Sequence, residues 1–187
     1  AAETALQRAI ALDPAMPAAR NGLGLVRLSQ QRPADATVQF RQANRADPGF
    51  ADAWHNLGVA LMMAGDADGA MDAYRRARTL APGRVETLHD LGNVHLALEE
   101  YEQAAEMFRA ALTIQPRHPK AAAGLARAEA EIGLPGAREA FRDAARAAPE
   151  DETLQRSYGR FLTAWGYFDE AAEFYATHRS LPGAAAW

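Results

Sequence analysis

A period of 34 residues constrains this chain more than any other feature. Ala36, Ala70, Ala104, Ala137 and Ala171 stand one period apart, with a single interval of 33 between the third and the fourth. An aromatic follows each of them four residues later, as Phe40, Tyr74, Phe108, Phe141 and Tyr175. Pro14, Pro48, Pro82, Pro116 and Pro149 keep the same spacing. Three independent columns on one period mark a repeated supersecondary unit, which buries its apolar face only by stacking on its neighbours. Within each half-unit, apolar residues recur at i, i+3, i+4 and i+7, which predicts two amphipathic helices per repeat. The prolines are expected to stop the second helix and set the turn into the next unit.

A fourth column is glycine: Gly24, Gly58, Gly92 and Gly159 lie inside the first helices. A mid-helix glycine costs about 0.5–1 kcal/mol relative to alanine, so two helices are expected to approach closely there. Ala36, Ala70 and Ala104 are the expected facing residues. A leucine at those alanines should overpack by about 1–3 kcal/mol. The aromatic column is expected to fill the space between consecutive units.

Composition narrows the function classes. The 187 residues carry a formal net charge of −4, with 49% hydrophobic residues. That suits one domain or one stack of repeats. The balance is too mild for nucleic-acid binding, which calls for a basic face. With no cysteine, disulfide and thiol chemistry are excluded. No run of about 18 apolar residues is present to insert into a membrane. No signal-like segment opens the chain, and nothing assigns a compartment. Alanine is abundant and arginine far outnumbers lysine, which hints at a high-GC bacterial source.

The stretch from Ala51 to Arg84 reads W-x2-L-G-x2-L, then A-x3-Y-x2-A, then P, through Trp54, Leu57, Gly58, Leu61, Ala70, Tyr74, Ala77 and Pro82. The pattern resembles the tetratricopeptide-repeat (TPR) family over nearly the whole chain. The resemblance implies an all-α fold: a right-handed α-α superhelix (TPR solenoid) of antiparallel helix pairs. It divides residues 1–187 into a single array: the second helix of a truncated unit at 1–16, then units at 17–50, 51–84, 85–118, 119–151 and 152–185. The frame opens in mid-unit, as expected for a fragment of a longer protein. Arg20 holds the tryptophan column of the first full unit. The turn Gly133-Leu134-Pro135-Gly136 is one residue short, and Pro182 falls one residue early.

The resemblance also implies a ligand face. In the family, the first helices line the concave surface, through the second, fifth, sixth, ninth, twelfth and thirteenth positions of each unit. Carried onto this sequence, the candidate peptide-binding groove is Asn21, Leu25, Asp52, His55, Asn56, Val59, Glu86, His89, Asp90, Asn93, Lys120, Arg127, Arg156 and Arg160. Its character changes along the array. Leu25, Leu28, Val59 and Met62 give an apolar strip, and Asp52 to Asn93 add acid, amide and imidazole. The last units add cations. Asparagine amides suit a peptide backbone because they both donate and accept, and arginines suit carboxylates. A clamp for acidic chaperone tails is disfavoured: Glu86 and Asp90 are acidic where that clamp needs base.

Little else in the sequence suggests chemistry. His55 and His89 share a column near Asp52, Glu86 and Asp90, but zinc needs three or four ligands at about 2.0–2.2 Å, and neighbouring repeats stand too far apart. No metal and no cofactor are expected. No nucleophile elbow, phosphate-binding loop or dinucleotide fingerprint is present, so the chain is read as non-enzymatic. Eight of the fifteen aromatics follow residue 157, including Trp187. Two explanations stand: the core of the last repeat, or a surface that another element covers. The leading function is a module that binds a protein or peptide segment in the groove. The alternatives are the targeting arm of a larger glycosyltransferase-, sulfotransferase- or oxygenase-like enzyme, and a scaffold that self-assembles as a homo-oligomer through the repeat ends or the aromatic C-terminal end.

Overall fold

The computed structural model describes residues 2–134 and 136–179, without the side chain of Thr153. Pro135, Pro182, Trp187 and the last part of the 152–185 unit lie outside the described residues. Among the described residues there are eleven helices and no strand: α1 Ala2–Leu12, α2 Pro17–Ser29, α3 Pro33–Ala46, α4 Ala51–Met63, α5 Ala67–Leu80, α6 Val85–Ala97, α7 Tyr101–Ile114, α8 Pro119–Glu131, α9 Ala137–Ala147, α10 Glu152–Ala164 and α11 Phe168–Thr177. None of them is long and apolar enough to cross a membrane. The fold is all-α, built from helix pairs.

Local signals explain the boundaries. Pro17, Pro33 and Pro119 sit in the first helical turn, where a missing N–H costs nothing. Asp66 and Asp151 cap α5 and α10 by accepting from Gly69 N at 2.9 Å and Leu154 N at 3.0 Å. Each second helix ends before the periodic proline, because the residue ahead of a proline is pushed out of the helical region. Asp47 shows this, with φ −137° and ψ 95°. Pro48 then anchors the next helix: Trp54 Nε1 donates to its carbonyl at 3.0 Å. In the repeat before, Arg20 Nε makes the same bond to the Pro14 carbonyl at 2.7 Å. A guanidinium thus stands in for an indole, because what this column supplies is an N–H aimed at the preceding turn.

The turn between the two helices of a repeat has its own column. Gln31, Gly65, Glu99, Gly133 and Gly166 follow the same period and all have positive φ, between 58° and 82°. Only glycine takes that conformation at no steric cost.

The aromatic column forms the core, with Phe40 and Phe108 fully buried and Tyr74, Phe141 and Tyr175 nearly so. Its packing partner differs from the expectation. A Cβ built on Gly24 would stand 2.4 Å from Phe40 Cε1, and one on Gly58 would stand 2.6 Å from Tyr74 Cε1. The glycines therefore make room for the ring of their own repeat, not for the facing alanine. The ring is the bulkier group, and no side chain fits beside it.

The chain divides into two compact units, Ala1–Leu98 and Glu99–Trp187, so the boundary falls between α6 and α7. In the first unit each helix packs on the next, and the first helices also touch each other, α2 on α4 and α4 on α6. In the second unit α7 to α11 pack in the same succession, with α8 also on α10. Most of the C-terminal aromatics belong to this unit's own core. Phe141 meets Tyr158 and Phe161 at ring-centroid distances of 5.4 and 5.0 Å, and Tyr158 meets Phe174 edge-on at 5.3 Å. Trp165 and Phe168 are the exceptions, at 39% and 57% exposed.

Candidate functional site

In the first unit the candidate residues ride on α2, α4 and α6, whose mutual contact brings successive repeats side by side. Asn56 Nδ2 donates to Asn21 Oδ1 at 2.9 Å, an amide bridge between adjacent repeats. It leaves the Asn21 nitrogen and the Asn56 oxygen for other partners. Leu25 beside it is 45% exposed and Val59 is half-buried. Asp52 and Glu86 are exposed and share Arg84, which bonds Asp52 and lies 3.9 Å from Glu86.

The remaining candidates form an internal network. His55 is buried, with Nδ1 3.1 Å from Thr87 Oγ1 and Nε2 3.8 Å from Asp90 Oδ2. Its ring lies 5.6 Å from that of Tyr74. Burial, and then the Arg84 charge, hold the imidazole below its usual pKa, against an opposing pull from Asp90. His89 Nδ1 lies 3.0 Å from Asp90 Oδ1, and its Nε2 lies 3.3 Å from the Asn93 amide nitrogen. The Tyr74 hydroxyl donates to Asp90 as well, and burial first, then that carboxylate, push its pKa far up.

Asp90 occupies the sixth position of its repeat, and that position has a packing task. A Cβ on Gly22, the same position two repeats earlier, would stand 2.9 Å from Leu6. In the second unit a Cβ on Gly124 would stand 2.4 Å from Phe108. The sixth position thus meets the aromatic column of the preceding repeat. Tyr74 finds an acceptor there, while Leu6 and Phe108 fill the space that a Cβ would take. Tyr74, Thr87 and Arg84 were not among the candidates, although a tyrosine in a mostly phenylalanine column, followed sixteen residues later by an acid, carried the signal.

In the second unit Lys120 and Arg127 ride on α8, and Arg156 and Arg160 on α10, which packs against α8. Lys120, Arg127 and Arg160 are exposed and Arg156 is half-buried. Among the described residues none of the four belongs to an ion pair or hydrogen bond. The Arg156 Nε is shut off from solvent and has no hydrogen-bond partner. Among the described residues no group of three or more His, Asp or Glu is placed to hold a metal ion.

Comparison with known proteins agrees with the all-α repeat fold. Residues 49–117 and residues 1–40 each match a tetratricopeptide repeat family model, together more than half of the chain. A comparison with curated sequences gives no significant match. A tetratricopeptide repeat protein from Parabacteroides merdae is similar in structure, with a TM-score of 0.83 at 19% identity over 95% of this chain and 71% of that one. YrrB, described as a TPR protein with an unusual peptide-binding site, matches with a TM-score of 0.73 at 19% identity over 94% and 91%. PilF of Pseudomonas aeruginosa matches with a TM-score of 0.75 at 23% identity over 91% and 78%. At these identities the likeness concerns the fold.

Proposed function

Because this chain belongs to the tetratricopeptide-repeat family, we propose that it is a recognition module whose first-helix faces hold an extended segment of another protein. The observation that carries this reading is the Asn21–Asn56 bridge: column side chains of successive repeats meet at 2.9 Å with an amide N–H and a C=O to spare. Such a pair matches the donor and acceptor of a peptide unit, and exposed Leu25 beside it offers an apolar contact. The face of the second unit has the opposite polarity to Asp52 and Glu86. Lys120, Arg127, Arg156 and Arg160 suit acidic side chains, through charge-assisted bonds. The similarity to YrrB, described by its peptide-binding site, fits a module of this kind.

His55 and Asp90 do not join the ligand face in this reading, because their polar atoms are engaged between repeats. The module acts by recognition, and the chemistry of any larger assembly lies with its partners.

The test is capture from a lysate, read by mass spectrometry, with wild type beside Asn56→Ala/Arg160→Glu. Proteins retained by wild type and lost from the double variant support the reading. A retained set that is identical for both proteins refutes it.

A further inference from the structure

A second candidate site lies away from the first-helix columns. A cleft of about 380 Å³ opens between α9 and α11, with α10 as its floor. Arg142 and Arg146, one helical turn apart, form the α9 wall; Glu173 and Phe174 belong to the α11 wall; Gln155 and Tyr158 line the floor. Its volume lies within the range of small-molecule sites, roughly 300–1,000 Å³.

The two walls carry opposite charges. Among the described residues one ion pair joins α9 to α11, Arg138 Nε to Glu170 Oε2 at 3.8 Å, and Arg142, Arg146 and Glu173 take no part in it. Arg142 reaches only its neighbour Asp143, with Nε at 3.9 Å, and that Nε is buried without a hydrogen-bond partner. The Arg146 and Glu173 side chains are exposed and take part in no ion pair or hydrogen bond. The floor between them is fixed. Gln155 Nε2 donates to the Ala145 and Ala148 carbonyls at 2.7 and 2.9 Å, and the Tyr158 hydroxyl donates to Glu170 at 2.5 Å. The Phe174 ring is held by stacking on His178, 4.2 Å between centroids. Opposite charges on two walls, separated by a fixed floor, suit a ligand that carries both charges itself.

We propose that this cleft binds a small zwitterion, an amino acid or dipeptide, with its carboxylate on Arg142 and Arg146, its ammonium against Glu173 and its carbon frame on Tyr158 and Phe174. The bridging geometry requires both ends of the ligand to be charged. Blocking either end removes one charge-assisted contact, and each such contact is worth roughly tenfold in affinity.

The experiment is an amide NMR titration of the full chain with L-alanyl-L-alanine, its N-acetyl and C-amide derivatives, and L-alanine. The expected result is saturable shifts at Gln155 and along residues 142–146 and 173–178. Each capped dipeptide and each of the variants Arg146→Gln and Glu173→Gln should weaken binding about tenfold. Both substitutions are at exposed side chains, and unchanged spectra away from the cleft show that the fold is intact. Shifts with L-alanine alone mark the amino acid as sufficient; shifts with the dipeptide alone mark the longer ligand. Absence of shifts with both at millimolar concentration, equal binding of the capped forms, or shifts at Asn56 and Arg160 instead, overturns the proposal.

Discussion

The Tyr74 hydroxyl donates a hydrogen bond to the Asp90 carboxylate, tying the ring that fills one repeat to the first helix of the next. Where the same column holds Leu6 or Phe108, the residue sixteen positions on is Gly22 or Gly124. At these three contacts there are two solutions, a hydrogen bond or a vacated Cβ, while Asn56, sixteen residues after Phe40, follows neither. These two solutions should behave as a coupled pair. Tyr74→Phe should cost about 1–2 kcal/mol in urea unfolding, the worth of a partly exposed bond to a charged acceptor. Asp90→Gly should cost more, because it strands a buried hydroxyl and adds a mid-helix glycine. The double variant reproduces the Phe108 and Gly124 pair and should cost about 1 kcal/mol less than the sum of the two single changes. Strictly additive costs would show that the contact is not coupled.

His55 should make the first unit sensitive to acid. Burial, followed by the Arg84 charge, holds its folded pKa below the free value near 6.5. The unfolded chain therefore binds more protons than the folded one as pH falls past about 6.5, and stability declines through that window. Above it the imidazole is neutral in both states and contributes no slope. The urea midpoint should drop between about pH 7 and about pH 5.5, and His55→Gln should flatten that part of the curve. An unchanged slope in the variant would rule His55 out as the origin.

Gln31 holds φ at 58° in the turn column where Gly65, Gly133 and Gly166 stand. A left-handed residue with a side chain costs about 1–2 kcal/mol, part of which glycine returns through its greater freedom when unfolded. Gln31→Gly should therefore stabilise the protein by about 0.5–1 kcal/mol, seen as a higher midpoint with an unchanged denaturant slope. A lower midpoint would mean that the exposed Gln31 side chain contributes more than the strain it causes.

The repeat plan was legible in the sequence because its causes are local. A proline ends a helix wherever it stands, and an alanine–aromatic spacing of four residues marks one helical face whatever surrounds it. The turn column came only from the structure, although three of its five members are glycine on the common period. The helices that carry the candidate residues were legible, but the contacts of their side chains were not. Asn21, Leu25 and Asn56 sit on α2 and α4 as the resemblance implied, but His55 and Asp90 serve the joint between repeats. A column position does not tell an exposed face from a joint, because both use the same side of the first helix.

What the sequence by itself determined is therefore the kind of element and its order: helix pairs, their caps, their stops and the apolar face each must cover. Only the tertiary structure decided the pairings. It set the Phe40 ring against Gly24, gave Arg20 the bond that Trp54 makes one repeat later, and buried His55 beside Asp90. The physical reason is range. Helix signals act over a few residues of chain, whereas a ring, a proton donor or a charge finds its partner across space. That choice depends on what the neighbouring repeat leaves open.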